Sequence, residues 1–338
     1  MRPTAFLAAL LVAASLPAQA TSYHVARKIA VGGEGGWDYT TIEGTRLYQS
    51  HGDAMVVVDL ARDSVVGTLR GTSGIHGVAI VTELGRGFTS NGRDTTVTIF
   101  DLTTLAAIST VKVTGANPDA IRYDAASGRV FTFNGRGLNA TAINARSGAV
   151  DGTIPLGVKP EFTQVDGKGH LFVNLESDTG QVAVLDTRGL KEVKRYPLPG
   201  CSEPSGLAFD ARANRLFSAC SNKQLAVSDP SSGKVVALVP IGAGADAAAW
   251  DAERRLVFVP NGADGTLTVI RQASADRYDV AATVPTQRGA RTMGLDPRTH
   301  RLYLATAEFG PPPATPAGGR PARPPMIPGS FTILVVEP

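Results

Sequence analysis

An apolar run that closes on an acidic residue, or a stand-in for one, returns about every 42 residues along this chain. It ends at Val58-Asp59, Phe100-Asp101, Ile143-Asn144, Leu185-Asp186, Ser228-Asp229 and Ile270-Arg271, with intervals of 42, 43, 42, 43 and 42. A second column places a basic residue at Arg46, Arg86, Arg129, His170, Arg215, Arg255 and Arg301, with spacings between 40 and 46. Variation of that kind is what loops between fixed elements absorb. A period near 42 built of short alternating apolar runs and turn residues predicts propeller blades. The expectation is an all-β fold: a seven-bladed β-propeller of four-stranded antiparallel blades.

The third unit shows the blade pattern most fully. Residues 118–123 read as the inner strand, 129–133 as the second, 140–143 as the third and 150–154 as the outer edge. Gly and Asn fill the turns between them, where positive φ is needed. Residues 24–31 read as an outer strand that precedes the first inner strand, and 331–336 as a third strand with nothing after it. The N-terminal strand is therefore expected to complete the last blade, closing the ring and removing two sheet edges.

The chain is 338 residues long, and its first 20 read as a leader. Arg2 gives a positive start, residues 5–16 are apolar and small, and Ala18-Gln19-Ala20 is a small-x-small cleavage site. The apolar stretch is short for a membrane span. The expected layout is a signal peptide over 1–20, cleaved after Ala20, and one propeller over 21–338. The location implied is periplasmic or secreted, without stable membrane insertion, and a monomer is expected. Lys and Arg number 33 against 30 Asp and Glu, a balance that gives no indication of nucleic acid as a partner. The two cysteines, Cys201 and Cys220, would meet oxidising conditions after export. Pairing Phe209 with Leu216 puts Cys220 opposite Ser205, so a disulfide is favoured over two free thiols. Residues 309–330 break the period with a Pro-rich insertion in the last blade, expected to be a partly extended, mobile loop.

At these units the sequence resembles the YVTN-repeat propellers, the YncE-like exported bacterial proteins. The strand-two motif stands here as Phe88-Thr89-Ser90-Asn91, Val130-Phe131-Thr132-Phe133-Asn134, Phe172-Val173-Asn174 and Val257-Phe258-Val259-Pro260-Asn261. The strand that follows appears as Val97-Thr98-Ile99-Phe100-Asp101 and Val182-Ala183-Val184-Leu185-Asp186, and the approach to the next inner strand as Gly115-Ala116-Asn117-Pro118 and Gly157-Val158-Lys159-Pro160. Copies five to seven depart from it, with Cys220 or Ala305 near the usual Asn and Ala245 or Ala290 replacing Pro. The resemblance implies the fold and a binding scaffold, with no shared reaction.

Propeller ligands gather where the loops into the inner strands open around the channel. Aligning the inner-strand starts gives the lining column Asp38, Gly77, Asp119, Glu161, Ser205, Asp246 and Arg291, preceded by Trp37, His76, Pro118, Pro160, Pro204, Ala245 and Ala290. Four carboxylates around one mouth repel unless a cation, an amine or a shared proton compensates them; the alternative is that they cap strands and bind water. The candidate ligand-binding residues are Trp37, Asp38, His76, Asp119, Glu161, Asp246 and Arg291, with Arg291 orienting an anionic part of a ligand. His51, His76 and Asp38 form a candidate divalent-metal set, without any supporting spacing motif. Neither Gly-x-Ser-x-Gly nor a phosphate loop nor a haem-binding Cys-x-x-Cys-His occurs. The reading is a propeller that binds a small ligand, a cation or an exported protein at its mouth, with no catalytic residue assigned. The alternatives are a metal-dependent hydrolase of the lactonase type and an interaction scaffold using the Pro-rich loop.

Overall fold

The computed structural model describes residues 23–313 and 324–338. The expected leader over 1–20 and the middle of the Pro-rich insertion lie outside the described residues. Seven four-stranded antiparallel sheets are arranged as blades, as the period predicts. Blade 1 consists of Trp37–Glu43, Arg46–His51, Ala54–Asp59 and Ser64–Arg70, in that order from the inside out. Blades 2 to 6 repeat it over residues 75–112, 118–155, 159–197, 204–240 and 249–285. Blade 7 takes Met293–Asp296, Arg301–Thr306 and Thr332–Glu337, and its outer strand is His24–Ala30 from the start of the chain. No helix among the described residues is long and apolar enough to cross a membrane.

The two sequence columns meet in space. Each acid of the first column ends a third strand and accepts the amides two and three residues on: Asp101 Oδ1 from Thr103 N at 2.9 Å and Thr104 N at 2.8 Å, Asp186 Oδ1 from Arg188 N at 3.0 Å and Gly189 N at 2.9 Å. Asn144 makes the same turn with its amide oxygen, which is why it can stand in for the acid. Three basic residues of the other column reach across to the turn of the following blade. Arg46 donates to Leu102 O at 2.7 Å, Arg86 to Arg146 O at 2.6 Å and Arg129 to Thr187 O at 3.0 Å. One column shapes a turn and the other clamps the preceding blade onto it. Apolar faces fill the space between, such as Phe131, Phe133, Leu171, Val173 and Leu185 between blades 3 and 4, all fully buried. The Asn ending the second-strand motif is also structural. Asn91, Asn134 and Asn261 are buried and donate to Thr98, Thr141 and Thr268 on the next strand.

Five inner strands carry the same irregularity. The register against the second strand shifts between Trp37 and Thr40, Ile75 and Val78, Pro118 and Ile121, Pro160 and Thr163, and Pro204 and Leu207. Each is a β-bulge, which adds one residue and re-aims a side chain. It corrects two sequence expectations. Cys220 faces Pro204 rather than Ser205, because the bulge takes up one residue between there and the Phe209–Leu216 pair. The lining residue of blade 2 is His76 rather than Gly77, since Ile75, opposite Asn91, is the equivalent of Pro118, opposite Asn134.

Cys201 and Cys220 form a disulfide, their Cα atoms 5.3 Å apart, tying the loop before blade 5 to the end of that blade's second strand. At the base of the Pro-rich insertion Phe309 bridges Met326, and Gly310 N and Ile327 N bond Pro325 O and Glu308 O, a short paired ribbon. The disulfide closes a loop with a sequence separation of 19, for which unfolded-chain entropy is worth about 3 kcal/mol. Replacing both cysteines by Ala is expected to lower unfolding free energy by about that amount, read from denaturant midpoints with and without the bond.

Candidate functional site

The bulges bring the lining residues together at one end of the channel. By register the ring reads Asp38, His76, Asp119, Glu161, Ser205 and Asp246, and Arg291 of blade 7 joins it through Asp246. Most of these acids have been given a partner. Asp38 Oδ2 accepts from His76 Nδ1 at 2.6 Å. Glu161 Oε1 lies 2.6 Å from Lys159 Nζ, which also pairs with Glu176. Asp246 accepts from Ser205 Oγ at 2.6 Å and from Arg291 Nε at 2.8 Å. Asp119 is the exception. It is 8% exposed, its Oδ1 has no hydrogen-bond partner, and the nearest cation is His76 Nδ1 at 3.6 Å.

Ligand atoms of Asp38, His76 and Asp119 all lie within 4.8 Å of one another. Two carboxylates at that separation repel by about 3 kcal/mol at an effective dielectric of about 20, more than a typical net hydrogen bond of about 1 kcal/mol returns. The cluster therefore holds protons. Burial, then the Asp38 charge, push Asp119 up to about 7. Burial raises Asp246 and Glu161 too, with Asp38 acting on the first and Asp119 on the second. Burial alone would lower His76, but the Asp38 hydrogen bond and the charges of Asp119, Asp38 and Glu161 outweigh it and bring it up to about 9. Gly92 gives the imidazole its room, because a Cβ there would stand 2.6 Å from His76 Nε2.

The mouth cavity is about 600 Å³. Asp38, Asp119, Glu161 and Asp246 line its acidic side, while Gly244, Ala245, Gly262, Ala263 and Gly289 from blades 6 and 7 form a shelf without bulky side chains. Its floor is Tyr39, whose ring lies 4.3 Å from that of Phe162 across the channel and whose hydroxyl is buried without a partner.

Three sequence candidates are placed elsewhere or otherwise engaged. His51 stands apart from the cluster: its ring stacks on Phe331 at 3.9 Å and its Nδ1 faces Gly36 O at 3.3 Å, so the set His51, His76 and Asp38 is not assembled. The ring of Trp37 packs against Phe331 and Phe309, with the residue 7% exposed, at the edge of a cavity it shares with Asp38, His76 and Arg291. Arg291 donates to Asp246 and to Trp37 O at 2.8 Å while still lining the mouth. Lys159, Glu176 and Tyr39 were not legible as site residues. Each occurs in a single blade, so no repeating column marks it.

These features define a propeller with an acidic, partly protonated channel mouth. No family model matches the chain, and no curated protein matches it. Solved structures do. A chain of the mitotic checkpoint complex aligns at a TM-score of 0.74 and 14% identity, covering 100% of this chain and 99% of that one. The RRP9 WD40 repeats align at 0.73 and 10%, covering 92% and 97%. A chain of Kuenenia stuttgartiensis hydrazine synthase aligns at 0.70 and 15%, covering 80% and 92%. At such identities the likeness is one of fold.

A group whose folded pKa is raised stabilises fully below its unfolded pKa and loses that contribution as pH climbs through the folded one. Asp119 and His76 both stand so, and stability is expected to fall from about pH 4 to 7 through Asp119 and from about 6.5 to 9 through His76. Denaturant titrations across that range check it, and Asp119→Asn should reduce the slope in both windows, since it removes the Asp119 titration and one of the charges that raise His76. The His76 ring proton followed by NMR should titrate near pH 9, and in Asp38→Asn fall toward the ordinary histidine range.

Proposed function

We propose that this is an exported propeller of the YVTN-repeat, YncE-like kind whose channel mouth binds a cation. The observation that carries the reading is Asp119, buried with one oxygen unpartnered, facing Asp38 and His76 in a ring otherwise neutralised by its own cations. An imidazole and two carboxylates offer one nitrogen and two oxygen donors, a set suited to zinc, manganese or ferrous iron. The metal would take the place of the proton that His76 holds between two acids, so binding releases that proton. The shelf of blades 6 and 7 leaves space for a molecule above the ion. An open coordination position next to a cavity also supports the second reading, a metal-dependent hydrolase, in which the ion would activate a water.

Calorimetric titration of the purified protein with zinc and with manganese at pH 7.5 and 9 tests this. Expected are near-stoichiometric binding, proton release at the lower pH, and affinity at least ~10-fold weaker in Asp119→Asn, equivalent to about 1.4 kcal/mol. No binding by any of these ions, with a melting temperature indifferent to chelator, would overturn it. Turnover of a lactone panel that stops on chelation would select the hydrolase.

A further inference from the structure

The septum of Tyr39 and Phe162 divides the channel, and the chamber beneath it differs in charge from the mouth. This lower cavity is about 340 Å³ and is lined by Tyr39, Thr41, Arg122, Phe162, Thr163, Gln164 and Trp250 among others. No carboxylate lines it. Arg122 projects from the inner strand of blade 3 and is the sole charged side chain lining it.

Its surroundings leave that guanidinium uncompensated. Nη2 donates to Thr163 O at 2.9 Å, Nε is buried with no partner, and no ion pair reaches it among the described residues. The equivalent contacts nearby use neutral side chains: Thr41 Oγ1 donates to Val78 O at 2.8 Å and Gln164 Nε2 to Leu207 O at 2.7 Å. Each stitches an inner strand to that of the next blade. A neutral amide or hydroxyl is enough for the stitch, so it does not account for a charge at position 122. The hydroxyl of Thr163, in the same lining, is likewise buried without a partner. Burial with no acid nearby lowers the Arg122 pKa, as expected for a cation lacking its counter-charge.

We infer that the lower chamber is a binding site for a small oxyanion, held by Arg122 with Thr163 as a further donor. Guanidinium forks bind carboxylate and phosphate oxygens in pairs, and the unpartnered Nε is a donor of that fork. The acidic mouth would repel such an anion, so entry is from the opposite face, where Ile42, Leu295 and Pro297 line the chamber. The site is independent of the cation reading for the mouth.

The test is calorimetric titration of the purified protein with inorganic phosphate and, separately, with acetate, at constant ionic strength set by chloride. Saturable binding of either supports the site and names the head-group it takes. Arg122→Gln should abolish that binding, and Arg122→Lys should weaken it at least ~10-fold, since an ammonium lacks the planar fork. Lys159→Ala, which removes a cation of the mouth, should leave it unchanged. The inference is overturned if neither anion binds, if Arg122→Gln binds as the parent does, or if binding follows Lys159 instead. Should Arg122→Gln fail to fold, the Lys variant and Lys159→Ala still decide the matter.

Discussion

Seven inner strands converge on one axis, and the crowding where they begin governs most of what this molecule offers to solvent. A strand starting without irregularity would point its first side chains between blades. The bulge repeated at five of these starts turns one residue per blade toward the channel. Residues 38, 119 and 161 are thereby pressed into a space where their charges must be neutralised. His76, Lys159 and Arg291 supply part of that neutralisation, and protons the rest. The chemistry of the mouth is thus a consequence of packing geometry acting on a particular choice of residues.

Much of the architecture could be read from the repeat, because its columns have physical duties in every blade. Asp101 and Asp186 close turns, and Arg46 and Arg86 hold those of the following blade. A duty repeated in this way leaves a periodic trace. The bulges left none that could be read directly, as the extra residue is marked by no residue type of its own. That is why the sequence column puts Gly77 in the place that His76 occupies in blade 2, while the four acids stand in theirs. Arg122, Tyr39 and Lys159 were missed for a different reason. They break the sevenfold symmetry, and a period cannot reveal what occurs once.

The channel that results is polarised. Above the Tyr39–Phe162 septum the lining is acidic, with one carboxylate oxygen left without a hydrogen-bond partner; below it, Arg122 is the one charged side chain of the lining. Tyr39 belongs to both chambers, and its phenol is kept neutral by burial and by the acids above it.

The last blade is assembled from both ends of the described chain. The strand His24–Ala30 has no sheet to join until Thr332–Glu337 exists, and Arg27 then pairs with Glu337 across 310 positions of sequence. The contact that makes the ring a ring is the one separated by the greatest length of polypeptide. The other six blades are each built from one continuous stretch of chain, so the wall of the channel is closed only by strands from both ends of the described chain. Both chambers are therefore bounded by a joint between the two ends of that chain.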